Sequence, residues 1–179
     1  VLTMAPSALL AIQNTVIEFA DVISEVTGVN VDIMDRDYIR VAGSGFYAPR
    51  TGESMRSRAS IYERVLEDAR SIVVHNPGRD EICRACANRH TCTETIEIAA
   101  PIRLTGHVEG VIGLMAFTAH QRDMLLEKLD SYIHFVEQIA DLIAKKAQEN
   151  TQMQMIRIYT DTLTQILDSI DQCVLILTD

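Results

Sequence analysis

Leu125, Leu129, Tyr132, Val136, Ile139 and Ile143 step alternately by four and three along the chain. That is the spacing of a heptad seam. Lys146 and Asn150 then fall on the seam, and Met153, Ile156, Thr160, Leu163, Leu167 and Ile170 resume it with an offset. Upstream, Thr118-Ala119-His120-Gln121 has the form of a capping box, in which the Thr hydroxyl and the Gln amide satisfy backbone N–H groups at a helix start. The pattern predicts one helix from 119 to 171, about 80 Å long. A compact domain in a chain of 179 residues needs no such rod. The spacing therefore predicts a parallel coiled coil between two copies, weakened near 146–150.

The remainder must form a domain in front of the rod. Leu9, Ile12, Val16, Phe19, Ile23 and Val26 keep a second seam over residues 8–27, with Gly28 as the stop. It suits a helix on its own domain and one that pairs with a partner about equally. Val29, Val31 and Ile33 alternate with polar residues, Asp35-Arg36-Asp37 turns the chain, and Tyr38 to Ala42 return, which predicts a hairpin. Gly43-Ser44-Gly45 opens a polar loop to about residue 57. It lacks the Gly-Lys-Ser/Thr of a phosphate loop. A helix over 60–69 and a short strand over 72–74 end at Asn76-Pro77-Gly78. A second hairpin follows, 95–104 and 107–117, about Thr105-Gly106, its second strand apolar on both faces. The order predicts an α+β domain: an antiparallel sheet flanked by helices, with the first and last helices on one face. Asp171 to Asp179 reads as the opening strand of a further domain. The organisation expected is thus 1–145 sensor-like domain, 146–170 coiled-coil linker and 171–179 the start of a second domain.

A formal net charge of −9 argues against direct contact with nucleic acid or an anionic membrane. No apolar run reaches the roughly 18 residues of a membrane span, and no secretory pattern is visible, so a cytoplasmic location is expected. There is no His-Glu-x-x-His and no Ser–His–Asp constellation, and the chain is not expected to be an enzyme.

Chemistry concentrates in Cys83, Cys86 and Cys92. Cys83 and Cys86 form a C-x2-C pair, a spacing that lets two thiolates face one metal ion. Nearby Arg79, Arg84, Arg89 and His90 would lower the thiol pKa values and offset a thiolate cluster. The reading admits an iron–sulfur cluster on three thiolates, a zinc ion completed by His90 or His75, a reversible disulfide, or three ordinary thiols. Cys173 lies far away and is no candidate. Arg40 and Arg103 could bind an anion, but surface strand positions suit them better.

Two separated stretches resemble one family. Ile33-Met34-Asp35-Arg36-Asp37-Tyr38-Ile39-Arg40-Val41-Ala42-Gly43-Ser44-Gly45 is the first. The second runs from His75-Asn76-Pro77-Gly78 through Cys83, Cys86 and Cys92 to Ala100-Pro101-Ile102 and Gly110-Val111-Ile112-Gly113-Leu114. Together they look like the N-terminal GAF-like sensor region of sigma-54-dependent transcriptional activators, similar to the purine-catabolism regulators. Residues 166–176 are similar to the opening of a PAS domain. The resemblance implies a sensing and dimerisation module, answering through a cysteine-ligated metal or iron–sulfur redox site, or alternatively through a bound metabolite with structural cysteines. It also implies AAA+ and helix-turn-helix domains elsewhere, since no Walker motif and no basic recognition helix occur here. The resemblance further implies a fourth cysteine seven residues after the third, which several members of that family carry and where this chain has Ala99.

Overall fold

The structure, a computed structural model, describes residues 7–176, and side chains as far as residue 166. A 3-10 turn (Leu10–Ile12) leads into α1 (Gln13–Thr27). Gly28 ends α1 in the left-handed conformation, its N–H donating to the Ser24 carbonyl at 2.8 Å. The hairpin β1 (Asn30–Asp35) and β2 (Arg40–Gly43) follows. Its turn is held by Asp35, whose Oδ1 accepts from the N–H groups of Asp37 and Ile39 at 3.0 and 2.9 Å. Then come α2 (Ser60–Asp68), β3 (Ile72–Val74), and the long hairpin β4 (Ile96–Leu104) and β5 (His107–Ala116). The five strands form one antiparallel sheet in the order β2-β1-β5-β4-β3.

Period-two alternation sorts the side chains of this sheet between two layers. Val31, Ile33, Ile96, Ile98, Ile112 and Leu114 face one side, where α1 and α4 bury them. Each such burial contributes roughly 1.5–3 kcal/mol. Met34, Ala99 and Val111 face the other side, beneath α2 and the segment around Cys83. Both long helices therefore share a face, as the element order implied.

The helical rod departs from expectation. It divides at Lys128 into α3 (Ala119–Glu127) and α4 (Leu129–Ile176). The capping box at its start is present, Thr118 Oγ1 accepting from Gln121 N–H at 3.2 Å and Gln121 Oε1 from Thr118 N–H at 3.2 Å. α4 is unbroken across 146–150, and it continues through 171–176, where a strand was expected; 177–179 lie outside the described residues. No Gly or Pro occurs between 129 and 176 to stop it.

The seams are also used differently. Leu125, Val136 and Ile143 are fully buried with Ala140 and Ala147 in the domain's own core, and Leu129, Tyr132 and Ile139 pack against it. The same core takes Leu9, Val16 and Ile23 of the first seam, leaving Val26 74% exposed. The far stretch of α4 is exposed at Met153, Ile156 and Leu163. Among the described residues no helix is long and apolar enough to cross a membrane.

Candidate functional site

The second face of the sheet is only partly filled by apolar side chains. Over its β1–β2 end, a 3-10 turn (Gly45–Arg50), α2 and the cysteine segment enclose a cavity of about 280 Å3. The turn can fold back because residue 43 is glycine: a Cβ there would lie 2.6 Å from the Tyr47 Cβ. The backbone of Ala87 donates to the Ser57 carbonyl at 2.7 Å, tying the cysteine segment to the approach of α2.

The sheet supplies the floor, and that floor is charged. Asp32 on β1 and Arg40 on β2 form a buried bidentate pair, with Nε and Nη2 donating to the two carboxylate oxygens at 2.7 and 3.0 Å. Burial pushes the Asp32 carboxyl up, and the two bonds from Arg40 act against it. The expectation that Arg40 sits on the surface is overturned. It is 5% exposed, because the turn after β2 folds Tyr47 over its guanidinium, 4.8 Å from the ring centroid.

Glu97 on β4 also points into the cavity and is 5% exposed. Burial holds its carboxyl well above the usual carboxylate range, and the neighbouring Glu94 and Asp32 push it further. Glu97 shares a hydrogen bond with Glu94. Glu94 in turn accepts from the Tyr47 hydroxyl on one oxygen and from the Cys92 thiol, at 3.6 Å, on the other. Burial and then Glu94 push the Tyr47 phenol up. Tyr62 of α2 lies over Gly113, and its hydroxyl donates to the Asp32 carbonyl at 3.4 Å. Toward the outside, Phe46, Tyr47 and Phe117 form an aromatic cluster, with centroids 5.2, 5.3 and 6.0 Å apart. Arg50 stacks on Phe46 at 4.2 Å.

All three cysteines reach this same cavity wall, unpaired with one another. Cys83 closes a 3-10 turn (Glu81–Cys83) capped by Asp80, and is 4% exposed. The Cys86 thiol donates to the Arg58 carbonyl at 3.6 Å. The environment of Cys83 and Cys92 does not favour thiolates. Burial pushes Cys83 up, and burial followed by the Glu94 carboxylate pushes Cys92 up to about 12. The expected lowering by neighbouring cations is corrected for a plain reason: Arg84 turns outward to Glu81 at 2.7 Å, and the Arg89 Nε is spent on the Gly78 carbonyl at 3.3 Å. His90 is exposed and is not among the cavity-lining residues. Among the described residues no three His, Cys, Asp or Glu side chains stand close enough to hold a metal ion. Arg103, the other strand arginine considered, is exposed and donates to the Ala69 carbonyl, away from the cavity.

Sequence reasoning passed over Asp32, Glu97, Glu94, Tyr47 and Tyr62. A usable trace exists for two of them. Asp32 and Glu97 each interrupt an apolar strand at an alternating position, between Val31 and Ile33 and between Ile96 and Ile98.

The architecture, an antiparallel five-stranded sheet with flanking helices and a long C-terminal helix, is that of a GAF domain. Residues 122–287 of a methyl-accepting chemotaxis protein superpose with a TM-score of 0.63 at 14% identity, over 79% of this chain and 91% of that one. The GAF domain of A. aeolicus nlh2, in an inactive state, matches with a TM-score of 0.55 at 17% identity, over 79% of this chain and 85% of that one. In sequence, the chain is similar to UacR of Escherichia coli, a candidate uric acid sigma-54-dependent transcriptional regulator, with 28% identity over 182 residues. That alignment takes in 99% of this chain and 30% of the relative, so the chain spans about a third of the length of the protein it matches. No protein-family model matches the chain.

Proposed function

We propose that this chain is the signal-sensing module of a sigma-54-dependent transcription regulator, a non-catalytic cytoplasmic unit that binds a small metabolite in the cavity on the second face of its sheet. One observation carries the reading: a cavity of about 280 Å3 has a buried carboxyl, Glu97, and the buried Asp32–Arg40 pair in its wall. Buried charge is costly unless it is compensated, and a concave site with a few convergent polar groups is the usual form of a ligand pocket. The volume lies at the small end of such pockets, which run from roughly 300 Å3, and suits a one- or two-ring metabolite. The uric acid in the relative's name makes urate the first compound to try.

The route outward is short. Glu97 faces the cavity while its neighbours Ile96 and Ile98 face the layer of α1 and α4. A ligand that favours one position of β4 therefore favours one seating of α4, and differential affinity for two seatings is what sensing requires. In this reading residues 1–145 sense, 146–170 link, and the exposed seam from Met153 onward pairs with a second copy. Polymerase remodelling and DNA binding would belong to other parts of such a regulator.

A thermal-shift titration of the whole chain with urate, then with other small catabolic metabolites, tests this. The reading expects saturable stabilisation that survives replacement of all three cysteines by serine. No stabilisation by any compound would remove it.

The shared wall of Cys83, Cys86 and Cys92 supports a second reading, a metal or redox site of iron–sulfur or zinc type formed by a rearranged cysteine segment. Metal analysis of anaerobically prepared protein decides it. Stoichiometric iron or zinc, lost in the triple Cys→Ser variant, supports the site, and sub-stoichiometric metal removes it.

A further inference from the structure

Resting on the ligand reading above, we propose that the cavity selects a flat heterocycle of cyclic-amide type, seated with an N–H edge on Glu97 and a carbonyl or oxyanion edge toward Arg50. The assignment follows from which polar groups still have capacity. Three carboxyls reach the cavity. Both oxygens of Asp32 are taken by Arg40, at 2.7 and 3.0 Å. Both oxygens of Glu94 are taken, by the Tyr47 hydroxyl and the Cys92 thiol. Glu97 lies in the cavity lining with a side chain 5% exposed, and the one side chain beside it in hydrogen-bonding position is the Glu94 carboxyl. A carboxyl has acceptor capacity for more than one donor, so what meets it must bring N–H or O–H groups. A phosphate or carboxylate placed there would set anion against acceptor.

The cations sort in the same way. Arg40 is held by Asp32, Arg58 donates to the Ser54 carbonyl at 2.6 Å and lies 3.9 Å from Glu53, and Arg89 is bound to the Gly78 carbonyl. Arg50 stacks on the half-exposed Phe46 ring, and among the described residues no carboxylate lies within 4.0 Å of it. Its fork can take a carbonyl or oxyanion in two parallel bonds. Acceptor capacity thus lies at the buried Glu97 and donor capacity at the half-buried Arg50. Phe46, Tyr47 and Phe117 line the same cavity and supply flat apolar rings. A ring that carries N–H beside C=O matches this order; a nucleotide phosphate, an aliphatic amine and a fatty acid do not.

Titration calorimetry of the whole chain with urate, xanthine, 1,3,7-trimethylxanthine and inorganic phosphate tests the orientation. We expect urate or xanthine to bind and the trimethylated compound, which has no N–H group, to bind at least about tenfold more weakly. Phosphate should not compete. Glu97→Gln should weaken the N–H ligands by a similar factor with an unchanged circular dichroism spectrum. Arg50→Gln should weaken urate more than a neutral lactam. Equal binding of xanthine and its trimethylated form, measured on the unaltered chain, overturns the orientation and leaves the ligand reading standing. So does full-strength urate binding by a folded Glu97→Gln protein. Failure of every purine to bind overturns this inference, and the wider metabolite titration then decides the ligand reading.

Discussion

Glu97 is a carboxyl kept from water and set beside two others, and it should govern how stability responds to pH. Its proton is held more tightly in the folded state than in the unfolded chain, because burial and then Glu94 and Asp32 disfavour the charge. A folded pKa above the unfolded value near about 4.3 means that its contribution is fully present below that value and is lost as pH rises through the folded one. Thermal melts of the unaltered chain should therefore fall in midpoint as pH rises above that unfolded value, and Glu97→Gln should flatten that fall and raise the midpoint at neutral pH. A variant with the same slope as the parent would assign the pH response to another group. The Asp32–Arg40 pair predicts the opposite kind of result. Arg40→Ala strands a buried carboxylate and should cost about 3–5 kcal/mol in denaturant unfolding, and joint replacement of both residues by apolar ones should recover much of it. A loss below about 1 kcal/mol would show that water reaches Asp32 freely.

At the scale of elements, the strands, α1 with its Gly28 stop, and the capping box at Thr118 were legible in the sequence because each rests on local spacing or backbone conformation. Three features were not. The division at Lys128 lies at an ordinary helix-forming residue, with nothing local to mark it, and only the docking of Leu125 and Leu129 on the core goes with it. The 3-10 turn (Gly45–Arg50) is stabilised by what it covers, Tyr47 over Arg40, and so reads as loop until β2 is in place. Alternation in β1 was legible as strand, but nothing local shows that the polar face is covered, since the layer that buries Asp32 and Glu97 arrives from residues 45–62 and 78–94. The same limit applies to the seams: heptad spacing marks an apolar stripe and is silent on whether a sheet or a partner covers it. The structure gives the stripe to the sheet as far as Ala147 and leaves Met153 to Ile166 exposed. Sedimentation velocity should accordingly find a dimer that Ile156→Asp with Leu163→Asp converts to a monomer, with little change in the domain's melting midpoint. A monomeric parent, or a variant that melts far earlier, would contradict this division of the helix.

Across the whole molecule, one sheet separates a ligand-sized cavity from the helices that lead out of the domain. Alternation along β4 puts Glu97 on one side and Ile96 and Ile98 on the other, so a displacement of a few tenths of an ångström at the cavity is felt by a close-packed layer that does not deform smoothly. The cysteine segment lies on the cavity side, with its thiols held protonated at Cys83 and Cys92. It therefore serves first as wall, whatever further chemistry it carries. The central claim, that a metabolite seated in this cavity sets the state of the long helix, is tested most directly by hydrogen–deuterium exchange of the whole chain with and without saturating urate or the best-stabilising metabolite. The account predicts slowed exchange in residues 45–62 and 78–97, together with altered exchange in α4 beyond residue 147. Protection confined to the face of α1 and α4, or protection of the cavity walls with α4 unchanged, would contradict it.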